Sequence, residues 1–424
     1  MKRKIFKWFI FTIGLVLCVV LLLAAFIYFS VSHRVQLSEA VAPFNNSTRI
    51  LRLDSTSISP DSLTNYVNDL AGKANVQGLA IAIINNNEVV YQQYFGRRNV
   101  SKGEPFVPGT VWYGASLSKT IFADVVLQLE EDGMLSLDTP LQRYLKKPLH
   151  KYHTNTAQQF FGANFIDYAD LEGDERMTKV TARHCLSHTT GLPNWRWLEP
   201  DGKLKFKFDP GDRYSYSGEG MFLLQVVIEE ITGQSFEEIA YEKIFRPLEL
   251  DRSSYVWQRS YEGNYAVGHD QYGNNLRIPK RNVPNAAGSL STTLEDYTRY
   301  FATVLRQEKG RYKRLLEPQI RIHSKQQFGP NALIETSDND HIQLGYGLGF
   351  GLYESSFGKA FFKEGHLDGW QHYAVGFPSS GTGLVIMSNS DQAESIFKEL
   401  IEVTTANTST PWFWEGYIPF NQEK

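Results

Sequence analysis

Ser116 and Lys119 are the residues in this sequence whose types and spacing most clearly permit chemistry, with a hydroxyl and an amine three positions apart in Ser116-Leu117-Ser118-Lys119. A serine hydroxyl is a weak nucleophile until a neighbouring base takes its proton. A lysine in a dry pocket loses its own proton near neutral pH and can be that base. The spacing joins the two only on a helix, where positions three apart share a face. The following residues supply one: Ile121, Phe122, Val125, Val126 and Leu129 recur at helical spacing before Gly133 ends the run. Ser116 and Lys119 then stand one turn apart at a helix start, where free backbone N–H groups suit a developing oxyanion. Alone the pattern is weak, since a chain of this size yields about one or two such matches by chance.

Other reactive groupings carry less. His184 and His188 are four apart, a spacing that could hold zinc on a helix, but no Glu lies between them as in a zinc-protease helix, and no metal or cofactor is expected. His366 and Asp368 stand too close along one stretch to bond directly with ease. The two cysteines, Cys18 and Cys185, allow neither a disulfide framework nor a zinc knuckle. With 43 basic against 46 acidic residues and a net charge of -3, the chain lacks the cationic excess of a nucleic-acid binder. At 42% hydrophobic and 21% charged it has material for a sizeable core.

The elements that must position Ser116 begin well into the chain. Trp8 to Phe29 is almost continuously apolar and follows Lys2, Arg3, Lys4 and Lys7, which reads as a transmembrane helix with a cytoplasmic N-terminus. A cleaved signal peptide is the alternative, although no small-residue cleavage site stands out. Residues 1–34 are thus expected to be stub and anchor, 35–60 a polar tether, 61–405 the body and 406–424 a tail. A short helix is expected over Ser62 to Leu70, and Gly78 to Tyr94 reads as two strands joined at Asn85, Asn86 and Asn87. Strand signals cluster at both ends of the body and helix signals in its middle, with no Pro- or Gly-rich linker between. One catalytic body with a lateral helical region is the simplest account.

Tyr113 to Thr120 (YGASLSKT) resembles the active-site segment of the serine β-lactamase and penicillin-binding-protein superfamily, closest to its class C β-lactamase, D-peptidase and esterase branch. Further landmarks follow in order. His184 to Pro193 (HCLSHTTGLP) resembles the branch's His-Thr-Ser-Gly-Leu-Pro stretch, and Tyr214 to Gly220 (YSYSGEG) its Tyr-Ser-Asn segment. Ala287 to Asp296 (AGSLSTTLED) resembles another, in which Thr292 and Glu295 also read as a capping box. Lys363 to Trp370 (KEGHLDGW) resembles its Lys-Thr-Gly strand. The resemblance implies an α+β fold, an antiparallel sheet flanked by helices with a helical subdomain forming the other wall of the cleft.

It also implies roles. Ser116 would be acylated, Lys119 and Tyr216 would relay protons, and Lys363 would lower the Tyr216 pKa together with Lys119. The backbone N–H groups of Ser116 and His366 would form the oxyanion hole. Gly218 replaces the family's amide-holding Asn, a loss for which Glu219 is the candidate substitute. Glu364 replaces a Thr beside Gly365; facing the site it would repel a substrate carboxylate, and facing outward it would do nothing.

The function expected is a membrane-anchored, extracytoplasmic serine hydrolase acting on a small amide, an ester or a D-amino-acid-containing peptide. A β-lactamase or cell-wall D,D-peptidase is the alternative, and a catalytically impaired binding protein another. Partners are the substrate and the membrane; the sequence leaves oligomeric state open.

Overall fold

The strand Gly78–Asn85 shows why the sheet forms where it does. All of its residues are buried. Leu79, Ile81 and Ile83 join one apolar cluster with Leu63, Val67 and Phe397, whereas Ala80, Ala82 and Ile84 join another with Phe122, Phe301 and Leu305. Alternating side chains serve two cores, so the segment reads as an unbroken apolar run. Asn86 (φ 51°) and Asn87 (φ 67°) form the two-residue turn into Glu88–Asn99, with the left-handed backbone that such hairpin turns require.

The computed structural model describes residues 46–154 and 166–422. Among the described residues the main sheet has nine antiparallel strands, with Gly78–Asn85 hydrogen-bonded between Glu88–Asn99 and Thr382–Ser388. Trp370–Phe377, Gly358–Leu367 and Gly351–Ser355 follow outward in that order. Helices Pro60–Lys73 and Phe397–Thr405 cover one face, and Leu294–Arg306 packs on the other. Beyond that second face lies a helical lobe, in which Ser118–Glu131 and Gly218–Thr232 are buried along most of their length. The architecture is the α+β arrangement expected.

Three boundaries differ from the sequence reading. Residues 46–60 are bound to the body: Ser47 N–H donates to Val90 O (2.9 Å), Ile50–Leu51 pairs with Ser57–Ile58, and Ile50 is fully buried. Their polar composition concealed one apolar anchor. The 406–424 segment also joins the body, as buried Trp414 packs on Tyr214 and Phe362 and donates to Ser324 Oγ (3.0 Å). The helix expected to be capped by Thr292 is capped one residue later, by Thr293 accepting from Asp296 N–H (3.0 Å). Thr292 belongs to a strand, and Glu295 bonds Tyr94. The expected anchor at 1–34 lies outside the described residues, among which no helix is long and apolar enough to cross a membrane.

Candidate active site

Ser116 stands in a tight turn between the strand Val111–Ala115 and the helix Ser118–Glu131. Ala115 adopts φ 45°, a conformation that costs a non-glycine residue about 1–3 kcal/mol and persists where the surroundings fix it. Here Ser118 does the fixing: its Oγ donates to Ala115 O and accepts from Leu290 N–H (3.0 Å), tying the turn to the strand Leu290–Thr293. The Ser116 side chain is half-buried at the floor of a cleft of about 510 Å³.

Lys119 is buried beneath it, and its Nζ donates to Ser116 Oγ (3.0 Å) and to Ala287 O. Burial, aided by the charge of Lys363 and opposed by Glu364, holds the Lys119 ammonium well below its usual range. Tyr216 lies between the two lysines, with Lys119 Nζ 4.9 Å and Lys363 Nζ 5.1 Å from its ring centre. Lys363 Nζ donates to Tyr216 Oη (3.3 Å) and to Glu364 Oε1 (2.7 Å). Burial alone would lower Lys363, but Glu364 and Tyr216 outweigh it and leave its pKa raised.

Burial also dominates Tyr216, whose pKa is raised despite the Lys363 charge. The expected lowering by two flanking cations fails because burial of the phenol itself outweighs the Lys363 charge, which Glu364 also opposes. His188 supports the ring from behind, 4.1 Å between centres, and accepts from Ser217 N–H at Nδ1 (3.1 Å). Its partner in the sequence, His184, accepts from Thr181 N–H at the start of the helix Ala182–Leu186 (3.3 Å).

Glu364 faces the cleft and is buried, its Oε1 also accepting from Gln327 Nε2 (2.8 Å). Burial pushes its carboxyl up, yet Lys363 prevails and the pKa is lowered. The strand carrying it pairs with Gly351–Ser355 only as far as Phe362, and on its other edge with Trp370–Phe377 through Leu367. Antiparallel residues send their backbone groups to alternate edges. With Leu367, Gly365 and Lys363 bonded across the hairpin, the N–H groups of Glu364 and His366 turn to the edge left uncovered among the described strands. That edge runs against the Ser116 turn: a Cβ on Gly365 would lie 2.9 Å from Gly114 O. The His366 imidazole points elsewhere, to Glu394 (3.6 Å).

Gly218 and Glu219 behave otherwise than as substrate groups. A Cβ on Gly218 would stand 2.6 Å from the Trp195 ring, so the indole fills the space of a side chain there. Glu219 turns from the cleft and is buried against Arg196, accepting from its Nε (2.9 Å), Nη2 (2.8 Å) and backbone N–H (3.1 Å). Alternation in the sequence gave no sign of this clamp, because Arg196 is distant along the chain.

The β-lactamase family model matches residues 63–404. The chain belongs to the β-lactamase family. It is 22% identical over 342 residues to a D-aminopeptidase of Gluconobacter oxydans, covering 75% of this chain and 57% of the relative. The chain spans roughly half to three-fifths of the length of the curated relatives it matches. An octameric penicillin-binding protein homologue from Pyrococcus abyssi superposes with a TM-score of 0.65 at 22% identity, covering 84% of this chain and 79% of that one. The D-alanine carboxypeptidase AmpC from Burkholderia cenocepacia gives 0.58 at 19%, covering 78% and 93%. These structural likenesses are likenesses of fold.

Within this β-lactamase-family site, the sequence reading missed one stretch of the cleft lining. Asn194, Trp195, Trp197 and Leu198 line the cleft, and the two indoles stack with centres 4.7 Å apart and planes 11° apart. The signal was present in Asn194-Trp195-Arg196-Trp197, an aromatic and polar cluster directly after the Pro193 landmark.

Proposed function

We propose that this chain is a serine hydrolase that forms an acyl-enzyme on Ser116 and acts on a small amide, an ester or a D-amino-acid-containing peptide. The observation that carries the reading is the 3.0 Å contact between Ser116 Oγ and a lysine whose burial disfavours its charge. Uncharged Lys119 takes the Ser116 proton as Oγ attacks the substrate carbonyl. The carbonyl oxygen is received by the N–H groups of Ser116 and His366. Tyr216, kept protonated by burial, gives its proton to the leaving amine or alcohol. Its phenolate, held by Lys363, then takes a proton from the water that attacks the ester. Lys119 returns its proton to Ser116 Oγ, and the enzyme is restored.

Glu364 supports the choice of substrate. A fixed carboxylate in the cleft, already neutralising Lys363 at 2.7 Å, disfavours acyl donors with a carboxylate of their own, which include β-lactams and C-terminal D-alanine peptides. The similarity to a D-aminopeptidase favours the peptide option among the remaining donors. The apolar run Trp8 to Phe29 and the basic residues before it support an uncleaved anchor with the body outside the cytoplasm, which protease accessibility on intact cells would test.

The decisive experiment is labelling with a fluorophosphonate probe read by intact mass. Wild-type protein gains one adduct and Ser116→Ala none; equal labelling of both refutes the assignment. Burst kinetics on an activated ester separates the hydrolase from a binding protein on the same fold, which gives no burst.

A further inference from the structure

Glu364 is only 3% exposed although it lines an open cleft, and its cover comes from two segments far from it in sequence. It pairs directly with Tyr373 across the hairpin, and residues so paired, like those two apart on one strand, point to one face. Phe362, Glu364 and Tyr373 therefore share a face, and the C-terminal segment packs on it. Trp414 meets Phe362 edge-on (6.4 Å between centres), Trp412 lies against Tyr373 (5.5 Å), and Glu415 Oε1 accepts from Tyr373 Oη (2.7 Å). The loop Ser324–Phe328 bridges that segment to Glu364. Trp414 holds the loop twice: its O accepts from Gln327 N–H (2.8 Å), and its Nε1 donates to Ser324 Oγ (3.0 Å). Fixed in this way, buried Gln327 donates from Nε2 to Glu364 Oε1 (2.8 Å), the oxygen that also meets Lys363 Nζ (2.7 Å). Such a bond from an amide to a carboxylate is charge-assisted and directional. The next residue, Phe328, stands edge-on to the Tyr216 ring (5.0 Å between centres), so one short loop touches both the phenol and the carboxylate of the pocket.

We infer that Gln327 is a positioning residue for acyl-donor selection, set in place by Trp414 of the C-terminal segment: it keeps the Glu364 carboxylate on Lys363 and so keeps that lysine from a carboxylate on the substrate. The inference rests on the proposed acyl transfer at Ser116 and on the part given there to Glu364. Without the Gln327 bond, Glu364 turns more readily from Lys363, and the freed ammonium receives an anionic acyl donor. The end of the chain thereby acts on selectivity through a loop, although Trp414 is fully buried and lies outside the cleft lining.

The test compares two acyl donors on the full chain, benzylpenicillin, which carries a carboxylate, and p-nitrophenyl acetate, which does not. The reading is the ratio of their acylation rates, from intact mass for the first and p-nitrophenol release for the second. Gln327→Met keeps the length of the side chain and removes its donor; the ratio is expected to rise about tenfold, as for one hydrogen bond to a charged group. Trp414→Phe removes the indole donor to Ser324 and should raise the ratio about threefold, and Ser324→Ala, which breaks the same bond with less loss of volume, should match it. None of these changes should move the ratio in a Glu364→Thr background, because the carboxylate they act through is gone. An unchanged ratio in Gln327→Met overturns the inference, as does a fall in rate common to both donors or a rise that persists without Glu364. Failure of the underlying reading looks different: wild-type protein then releases no more p-nitrophenol than Ser116→Ala, which refutes the hydrolase and this selectivity together.

Discussion

Glu219→Gln tests whether the Tyr214 to Gly220 segment serves structure or substrate at this position. The wild-type carboxylate and guanidinium are 3% and 12% exposed and meet through two parallel bonds of 2.9 and 2.8 Å. At 2.8 Å and an effective dielectric of about 20 their gross attraction is about 6 kcal/mol. Dehydrating both ions offsets much of that, yet removing one partner of a buried pair costs about 3–5 kcal/mol because the other charge stays behind without its counter-ion's compensation. Glutamine keeps the volume and one acceptor oxygen, which places the loss near the lower end, about 3 kcal/mol. For a body of this size about 2 °C accompanies each kcal/mol, so differential scanning calorimetry should show the melting temperature falling by about 6 °C. Arg196→Met measured in the same background should recover part of the loss, since it removes the cation that the Glu219 carboxylate balanced. A melting temperature within a degree of the wild type, together with a changed KM for a cationic substrate, would refute the clamp and return Glu219 to substrate binding.

Three further outcomes follow from the same geometry. A protonated Lys119 has no lone pair to receive the Ser116 proton, and its pKa is lowered by burial and the Lys363 charge; kcat/KM should therefore rise with pH through that lowered pKa and level above it. Lys119→Gln should lose about 10²- to 10⁴-fold and the acid limb with it, and a flat wild-type profile would exclude the lysine as base. Gly218→Ala places a methyl 2.6 Å from Trp195 and should destabilise by about 1–3 kcal/mol in urea titration, a loss that Trp195→Ala relieves in the double variant; additive losses would show that the indole does not fill that space. Glu364→Thr should raise penicillin acylation relative to a neutral ester by about 30-fold, taking a carboxylate roughly 8 Å away at a dielectric of about 20, and an unchanged ratio in an intact-mass time course would clear Glu364 of that role.

What the sequence disclosed divides by range. The Asn-rich turn, the fully apolar Gly78–Asn85 and the helical spacing after Lys119 are local signals, and each led to an element found in the structure. The ordered motifs then named Ser116, Lys119, Tyr216 and Lys363, which the fold brings together. Orientation was not legible, because it depends on partners far along the chain. Glu219 meets Arg196 across a loop and a helix start, and Glu364 turns inward because Gln327 and Lys363 both reach its Oε1. The sign of the Tyr216 shift was missed for a related reason: counting two cations near a phenol neglects the burial of the phenol itself and the nearby Glu364 carboxylate, both of which depend on residues far along the chain.

That charge arrangement explains how a glutamate can sit in a nucleophile's pocket without disabling it. Lys119, Lys363 and Glu364 are all buried, and a pocket with both lysines charged would hold a net positive charge in a poorly solvated space. Such a charge is costly unless one group yields its proton. The Lys363–Glu364 pair is neutral as a unit, with Lys363 raised and Glu364 lowered, so the group whose charge the pocket disfavours is Lys119. It is the one touching Ser116. Threonine at position 364 would leave Lys363 without a resident anion, and a carboxylate on the substrate would then complete the balance. With glutamate there, the balance is complete before substrate arrives. Burial and the Lys363 charge lower Lys119 against the pull of Glu364, so the glutamate's own contribution is to remove the reason to bind an anionic acyl donor, in keeping with the substrate class proposed.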